Sequence, residues 1–362
     1  MGAHTTTGAV FDDPAFDDHE QVVFCRDAAS GLNAVIAIHD TRLGPALGGC
    51  RMWDYDSPAD AVTDALRLSR GMTYKNALAG LALGGGKAVI LGDARRDKTP
   101  ALMAAFGRHV EALGGRYITA EDVGISTDDI EQAARMTRHA RGTAATGLGD
   151  PSPYTALGVF HGIRSALAHR FGSSDLAGRR VVVQGLGHVG SGLAKRLSAE
   201  GAELVVADLR ADTVRAAAEQ FGARSVDAGE AHRIEADVFA PCALGAGLNA
   251  TTIPELGAPI VAGAANNQLA TEEDGRRLIA RGVLYAPDYA INAGGVISIA
   301  LATPGGSDEE VVGRVTAIGA THNGPHARCT RVPDAPRIAY VRRRPQPVIA
   351  LRFSGCANHA AR

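Results

Sequence analysis

The sequence predicts an α/β protein of two domains, and three observations predict it. Short β-branched or apolar runs alternate with segments of helical period, as where Val181-Val182-Val183 is followed by Ser191 to Glu200 and then by Glu203 to Ala207. Glycine clusters interrupt that alternation at Gly84-Gly85-Gly86 and at Gly185-Leu186-Gly187-His188-Val189-Gly190. At 362 residues the chain is long enough for two cores, and 46% hydrophobic with 21% charged residues is ordinary globular composition.

The same bulk properties exclude several classes. No apolar run approaches the ~20 residues of a membrane span, so no membrane partner is expected. Met1 to Asp18 is polar and holds four aspartates, unlike a basic-then-apolar leader, so a cytoplasmic location is expected. Cys25, Cys50, Cys242, Cys329 and Cys356 are odd in number and scattered without a CxxC pair, which argues against a disulfide framework and against a bound metal. Charge is uneven: from Val312 onward nine arginines face one acid, Asp334, giving +8 there and −10 elsewhere for a net −2. Such a tail reads as a solvated segment, so no nucleic-acid partner is expected.

In chain order, His19 to Arg26 and Ala34 to His39 read as two strands joined by the turn residues Asp27 to Gly31, a hairpin. Leu43 to Gly49 is glycine-rich but too apolar for a free linker, which implies backbone passing close to something. Ser57 with Pro58 and Asp60 starts a helix whose stripe Val62, Ala65, Leu66, Ser69 leads to Met72 and Lys75. Gly84-Gly85-Gly86-Lys87 then delivers a second lysine into the apolar run Ala88 to Leu91. A lysine buried among apolar strand residues is costly unless it is paired. Burial and a second nearby cation both favour the neutral amine, which makes such a lysine usable as a general base, while a partner lysine that stays charged can clamp a carboxylate. Ala101 to Leu113 is a helix closed by Gly114-Gly115, and Tyr117 to Ala120 is a strand that runs into Glu121-Asp122-Val123-Gly124. Those acids fit either a cleft or the cap of a helix starting near Thr127. Gly142 to Gly149 reads as an interdomain linker, and Ser152-Pro153 starts the next helix.

The stretch from Arg180 to Asp208 has the order strand, glycine turn, helix, strand, acid. Gly185 permits the tight turn, Gly187 lets backbone N–H groups approach a pyrophosphate, and Gly190 lets the helix lie close on the strand. The helix N-terminus offers unpaired N–H groups and its positive dipole end to the phosphates. Asp208, 23 residues after Gly185, is placed to accept the adenosine ribose hydroxyls and would repel a 2′-phosphate, so a Rossmann-type doubly wound domain that binds NAD is expected. Asp237 to Ala240, Ile260 to Gly263 and Leu284 to Ala286 continue the strands. Each is followed by small or amide residues, where ligands sit in a parallel sheet. The expected domains are thus residues 1–149, 150–315, and an atypical Arg/Pro-rich tail, 316–362.

Taken as an ordered set, Leu43 to Gly49, Gly71 to Asn76, Gly84 to Ile90, Asp122 to Gly124, Gly185 to Gly190, Ala240 to Gly245, Gly263 to Asn267 and Tyr285 to Val296 resemble the Glu/Leu/Phe/Val dehydrogenase family, most closely its actinobacterial valine-acting branch. That resemblance implies an N-terminal α/β substrate domain, a homo-oligomer of such chains, and oxidative deamination of an L-amino acid to the 2-oxo acid and ammonia with reduction of NAD. It assigns Lys75 to the substrate carboxylate, Lys87 to general base catalysis and Asp122 to the amino group. Gly48, Met72, Asn266 and Asn292 are implied to line the site, and Thr155 to contact the nicotinamide. Glutamate-acting relatives hold the side-chain carboxylate with a lysine and a serine. The matching positions here are Leu47 and Val296, which implies a branched aliphatic substrate, with phenylalanine as the competitor. The end departs from the family: Thr321 to Arg362 holds five prolines and neither lysine nor glutamate, an abrupt bias that a shifted reading frame in a GC-rich gene would produce.

Overall fold

The computed structural model describes residues 10–143, 149–243, 245–302 and 307–319, together with the backbone of 320–321, 337–341 and 348–352. Part of the expected linker (144–148), Leu244 of the Ala240 to Gly245 motif and most of the Arg/Pro-rich tail lie outside the described residues. Among the described residues no helix is long and apolar enough to cross a membrane. The chain divides into two compact units, Met1–Tyr154 with Ala293–Val315, and Thr155–Asn292 with Thr316–Arg362.

The first unit is built on a mixed sheet. Strands β1 (Gln21–Asp27) and β2 (Leu32–Asp40) form the expected antiparallel hairpin, and β2 continues antiparallel to β5 (Gly84–Leu91). On the other side β3 (Ala46–Leu47) and β4 (Cys50–Trp53) both run parallel to β5, and β6 (Tyr117–Ile118) pairs with β3. Helix α1 (Pro58–Leu78) covers one face; α2 (Pro100–Ala112) and α3 (Thr127–Ala134) pack together. Alternation along β2 explains its unbroken apolar character: Ile36 and Ile38 enter a core with Phe106 and Ile130, whereas Val35 and Ala37 enter another with Ala65 and Leu66 of α1. Helix α1 begins as its sequence predicts, with Ser57 accepting a backbone N–H ahead of a proline, and α2, expected from Ala101, starts at Pro100 behind Thr99 in the same way.

The triple glycine belongs to β5 itself, although glycine disfavours strands. A Cβ on Gly85 would lie 2.1 Å from Thr73 Oγ1 of α1, and one on Gly86 would lie 2.7 Å from the Tyr117 ring. The glycines therefore let α1 and Tyr117 press onto the sheet from opposite sides, and that close packing outweighs the ~0.5–1 kcal/mol each costs in conformational entropy. Gly48 is tighter still, with its added Cβ 1.7 Å from Gly86 O.

The second unit is a parallel sheet in the order β12-β11-β10-β7-β8-β9, made of β7 (Arg180–Gln184), β8 (Glu203–Ala207), β9 (Arg224–Ser225), β10 (Val238–Pro241), β11 (Ile260–Val261) and β12 (Leu284–Tyr285). Helices α4 (Ser152–Phe171), α5 (His188–Ala199), α6 (Ala211–Phe221), α7 (Glu272–Ala280) and α8 (Asp288–Ile291) accompany it. The order reverses at β7, so the expected doubly wound arrangement is present and its switch point lies between β7 and β10.

Chain order alone predicted that the nucleotide-binding domain runs on to residue 315. By compactness Ala293–Val315, carrying α9 (Gly294–Leu301) and most of α10 (Asp308–Thr316), groups with the first unit. Two hydrogen bonds join it there: the Arg314 guanidinium donates to Gly80 O just beyond α1, at 2.9 Å, and the Tyr154 hydroxyl bonds Asp308. A short helix, α11 (Ile318–Thr321), follows, and the backbones of β13 (Arg337–Val341) and β14 (Val348–Arg352) pair antiparallel.

Candidate active site

In the first unit, β5 and the loop after β6 bring two predicted residues together. Lys87 is 4% exposed, and its Nζ lies 2.8 Å from Asp122 Oδ2. Alternation places Lys87 on the same face of β5 as Gly85, the face that α1 covers. The Asp122 loop is held to β4 by backbone bonds, Cys50 N to Ala120 O at 2.8 Å and Met52 N to Val123 O at 2.9 Å. Of the two readings for the acids after β6, neither residue caps α3, and the two turn to different partners. Asp122 is the ion-pair partner, Glu121 accepts the Thr127 hydroxyl at 2.8 Å, and the cap of α3 is the Ser126–Asp129 box.

Sequence reasoning missed the rest of this network. Arg51 of β4 donates from Nε to the same Asp122 Oδ2 at 3.1 Å and from Nη1 to Asp64 Oδ2 at 2.9 Å, and the Tyr55 hydroxyl also donates to Asp64 Oδ2. Lys98 Nζ braces the loop from outside, donating to Gly124 O at 2.8 Å and pairing with Asp129. Asn76 is buried and joins α1 to the sheet, with Nδ2 donating to the Leu47 and Gly84 carbonyls. A signal for Arg51 was present: like Lys87, it is a cation inside an apolar strand next to paired glycines.

Burial pushes the Asp122 carboxyl up, but the adjacent Lys87 and Arg51 charges outweigh it and hold the group below its ordinary value. Burial likewise works against the Arg51 charge, which Asp122 and Asp64 more than restore. The neighbouring Cys50 thiol is raised, chiefly by burial, so it stays protonated and is no rival nucleophile. Tyr117, raised by burial, donates its hydroxyl to Gly48 O at 2.6 Å and so orients the glycine loop.

The other predicted residues of this unit lie on β3, α1 and α9. Leu47 is buried at the end of β3, Gly48 follows it, Met72 of α1 packs against the Gly48 position, and Lys75 is half-buried in the last turn of α1. Val296 is buried in α9.

In the second unit, the turn after β7 has the form its glycines predict. Gly185 has φ +98°, and a Cβ there would lie 2.6 Å from Ala243 N beside β10. A Cβ on Gly190 would lie 1.9 Å from Gly185 O, so only glycine lets α5 start so close to the strand. Gly187 faces open space and is the N-cap of α5 with no side-chain cap, so the positive end of that helix is where an anion would be received. His188 is exposed and Val189 half-buried beside them, while Leu186 is buried and donates its backbone N–H to Asp208 Oδ2 at 2.7 Å. Burial raises the Asp208 carboxyl, yet the N–H groups of Leu186 and Arg210 prevail and keep it ionised. Further along, Asn292 Nδ2 donates to Asn266 Oδ1 at 2.8 Å and to Ala264 O at 3.0 Å, while the buried Asn292 Oδ1 has no partner among the described residues. Thr155, in the first turn of α4, is half-buried. A glycine cradle, an uncapped helix end, an ionised acid at the ribose position and an orphaned buried acceptor together fit a dinucleotide.

Comparison with known proteins agrees with this organisation. Residues 19–139 match the family model for the Glu/Leu/Phe/Val dehydrogenase dimerisation domain, and residues 204–313 match the Glutamate/Leucine/Phenylalanine/Valine dehydrogenase model. The chain belongs to the Glu/Leu/Phe/Val dehydrogenase family. Members of this family are NAD(P)-dependent. Among its relatives, leucine dehydrogenase of Bacillus cereus is 52% identical over 303 residues, 83% of either chain. Valine dehydrogenase of Streptomyces coelicolor is 52% identical over 287 residues, 78% of this chain and 79% of that one. The crystal structure of L-tryptophan dehydrogenase from Nostoc punctiforme is similar with a TM-score of 0.72 and 44% identity, covering 84% of this chain and 88% of the other. Both family models end before the Arg/Pro-rich segment.

Proposed function

We propose that this family member catalyses the reversible NAD-dependent oxidative deamination of a branched-chain L-amino acid, valine together with leucine and isoleucine, to the 2-oxo acid and ammonia. The observation that carries the reading is the buried Lys87–Asp122 pair at 2.8 Å, set among glycines that leave backbone instead of side chain around it. When bound, the nicotinamide ring supplies the hydride acceptor. Lys75 holds the substrate carboxylate by charge. Asp122 receives the amino group on the carboxylate oxygen that Lys87 and Arg51 leave open, and takes up or returns its protons. After hydride loss the substrate is an iminium, and Lys87 as a neutral amine removes a proton from the water that attacks it. Collapse of that adduct breaks its C–N bond: Asp122 returns the proton with which the nitrogen leaves as ammonia, and the hydroxyl proton passes to solvent as the carbonyl of the 2-oxo acid forms.

The preference for NAD rests on Asp208, whose ionised carboxylate suits ribose hydroxyls and opposes a 2′-phosphate. Thr155, Asn266 and Asn292 are assigned to the nicotinamide and substrate end. The preference for an aliphatic side chain rests on Leu47 and Val296, 2% and 9% exposed, neither of which can pair with a charge. A buried unpaired carboxylate costs several kcal/mol, so glutamate should be disfavoured by about 10³ or more. A second reading, an aromatic substrate, is favoured by the tryptophan dehydrogenase similarity. Ratios of kcat to KM for valine, leucine, phenylalanine and glutamate decide between them. A glutamate value near that for valine contradicts the pocket argument, and a phenylalanine value far above it selects the second reading. The dimerisation-domain match supports a homo-oligomer, which sedimentation would test.

A further inference from the structure

We propose that Arg51 is a positioning residue for the reaction: anchored on Asp64 and Tyr55, its guanidinium fixes the Asp122 carboxylate so that Oδ2 faces Lys87 and Oδ1 is presented to the substrate nitrogen. The inference rests on the roles proposed above for Lys87 and Asp122. Its own basis is geometric. Arg51 Nε and Lys87 Nζ approach one and the same oxygen, Asp122 Oδ2, at 3.1 and 2.8 Å, and among the described residues no side chain or backbone donor takes Oδ1. A carboxylate held by a single flexible lysine can rotate about its Cβ–Cγ bond and exchange its oxygens. A second donor from a rigid strand removes that freedom. Arg51 is itself held, because its Nη1 is tied at 2.9 Å to Asp64 of α1, and Tyr55 donates to the same Asp64 oxygen. The network spans β4, α1, β5 and the loop after β6, so the helix that carries Met72 and Lys75 and the strand that carries Lys87 are referenced to one guanidinium.

The charge pattern adds to the geometry. The groups facing Asp122 are the cations Lys87 and Arg51, with the neutral Cys50 and Tyr117 nearby, and those facing Arg51 are Asp122, Asp64 and Tyr55. Removing the Arg51 charge takes one cation away from both members of the Lys87–Asp122 pair. Loss of a cation beside the coupled pair favours its protonated form, so the acid limb of the pH–rate profile must move to higher pH.

The test compares Arg51→Gln, Arg51→Lys and Lys87→Met in the full-length protein by steady-state oxidation of L-valine or L-leucine from pH 7 to 11, with NADH binding followed by fluorescence. Arg51→Gln should lower kcat by about 10²-fold, the size expected when a reacting group is misplaced by about an ångström. It should also raise the acid limb by about one pH unit and leave the NADH dissociation constant unchanged. Arg51→Lys keeps the charge and loses the fork, so it should lower kcat while the limb stays in place; it also carries the test if the glutamine variant does not fold. Parental kcat in Arg51→Lys, or a loss in Arg51→Gln with no movement of the limb, overturns the proposal. If Lys87→Met is inactive while both Arg51 variants retain parental turnover, only the Arg51 role fails. If Lys87→Met is itself fully active, the reading of the site fails with it.

Discussion

Replacing Lys87 by methionine keeps the length and apolar stem of the side chain and removes only the amine, so it separates chemistry from packing. The lysine is 4% exposed and one of two cations on Asp122 Oδ2. Breaking a buried pair usually costs ~3–5 kcal/mol because a bare charge is left behind. Here Arg51 remains at 3.1 Å, so the carboxylate keeps a charged donor, and the loss reduces to one charge-assisted hydrogen bond, about 1–2 kcal/mol after relief of lysine desolvation. For a unit of this size that lowers the unfolding midpoint by about 2 to 8 °C. Turnover should fall much further, by roughly 10² to 10⁴, the usual contribution of a positioned proton-transfer group and equivalent to ~2.7–5.4 kcal/mol of barrier. The assays are calorimetric unfolding, NADH fluorescence titration and initial rates of L-amino acid oxidation on the same preparation. Turnover within about threefold of the parent refutes the base assignment. A midpoint lowered by tens of degrees refutes the claim that Arg51 compensates Asp122.

Lys75→Ala should mainly raise the KM for the amino acid, since a carboxylate anchor acts equally in ground and transition states; a large fall in kcat at unchanged KM argues against that role. Gly190→Ala would put a Cβ 1.9 Å from Gly185 O, a backbone atom that cannot swing away, so α5 must shift off the turn. The expected cost is ~1–3 kcal/mol in stability of the second unit and about tenfold weaker NADH binding, and an unchanged NADH affinity would dispose of the cradle assignment. His19 is pushed down from 6.5 to about 4 by burial and by the adjacent His39, so the folded protein keeps it neutral where the unfolded chain protonates it. Its contribution is therefore complete above pH 6.5 and is lost as pH falls towards 4, amounting to about 2 kcal/mol between pH 7 and 5. Urea unfolding of the parent and of His19→Gln at both pH values measures it, and equal slopes in the two proteins would reject the assignment.

What the sequence determined by itself is what depends on neighbours in the chain. The hairpin turn at Asp27 to Gly31, the Ser57-Pro58 helix start and the strand–GLGHVG–helix–acid unit are set by backbone sterics, capping and local periodicity, all of which act over a few residues. Lys87 was legible for the same reason, as a cation out of keeping with its apolar neighbours. The tertiary structure decided which distant groups meet. Arg51 finds Asp122 across 71 positions because β4 lies beside β5 and is zipped to the loop after β6, a consequence of sheet order that no local pattern encodes. That Asp122 meets Lys87 while the adjacent Glu121 turns to Thr127 was decided likewise, since side chains alternate along extended backbone. The triple glycine, which local propensity assigns to a turn, became a strand because α1 and Tyr117 approach it too closely for any side chain. The bond from Arg314 to Gly80 O was equally hidden, for it joins groups 234 residues apart that meet only once the chain has folded.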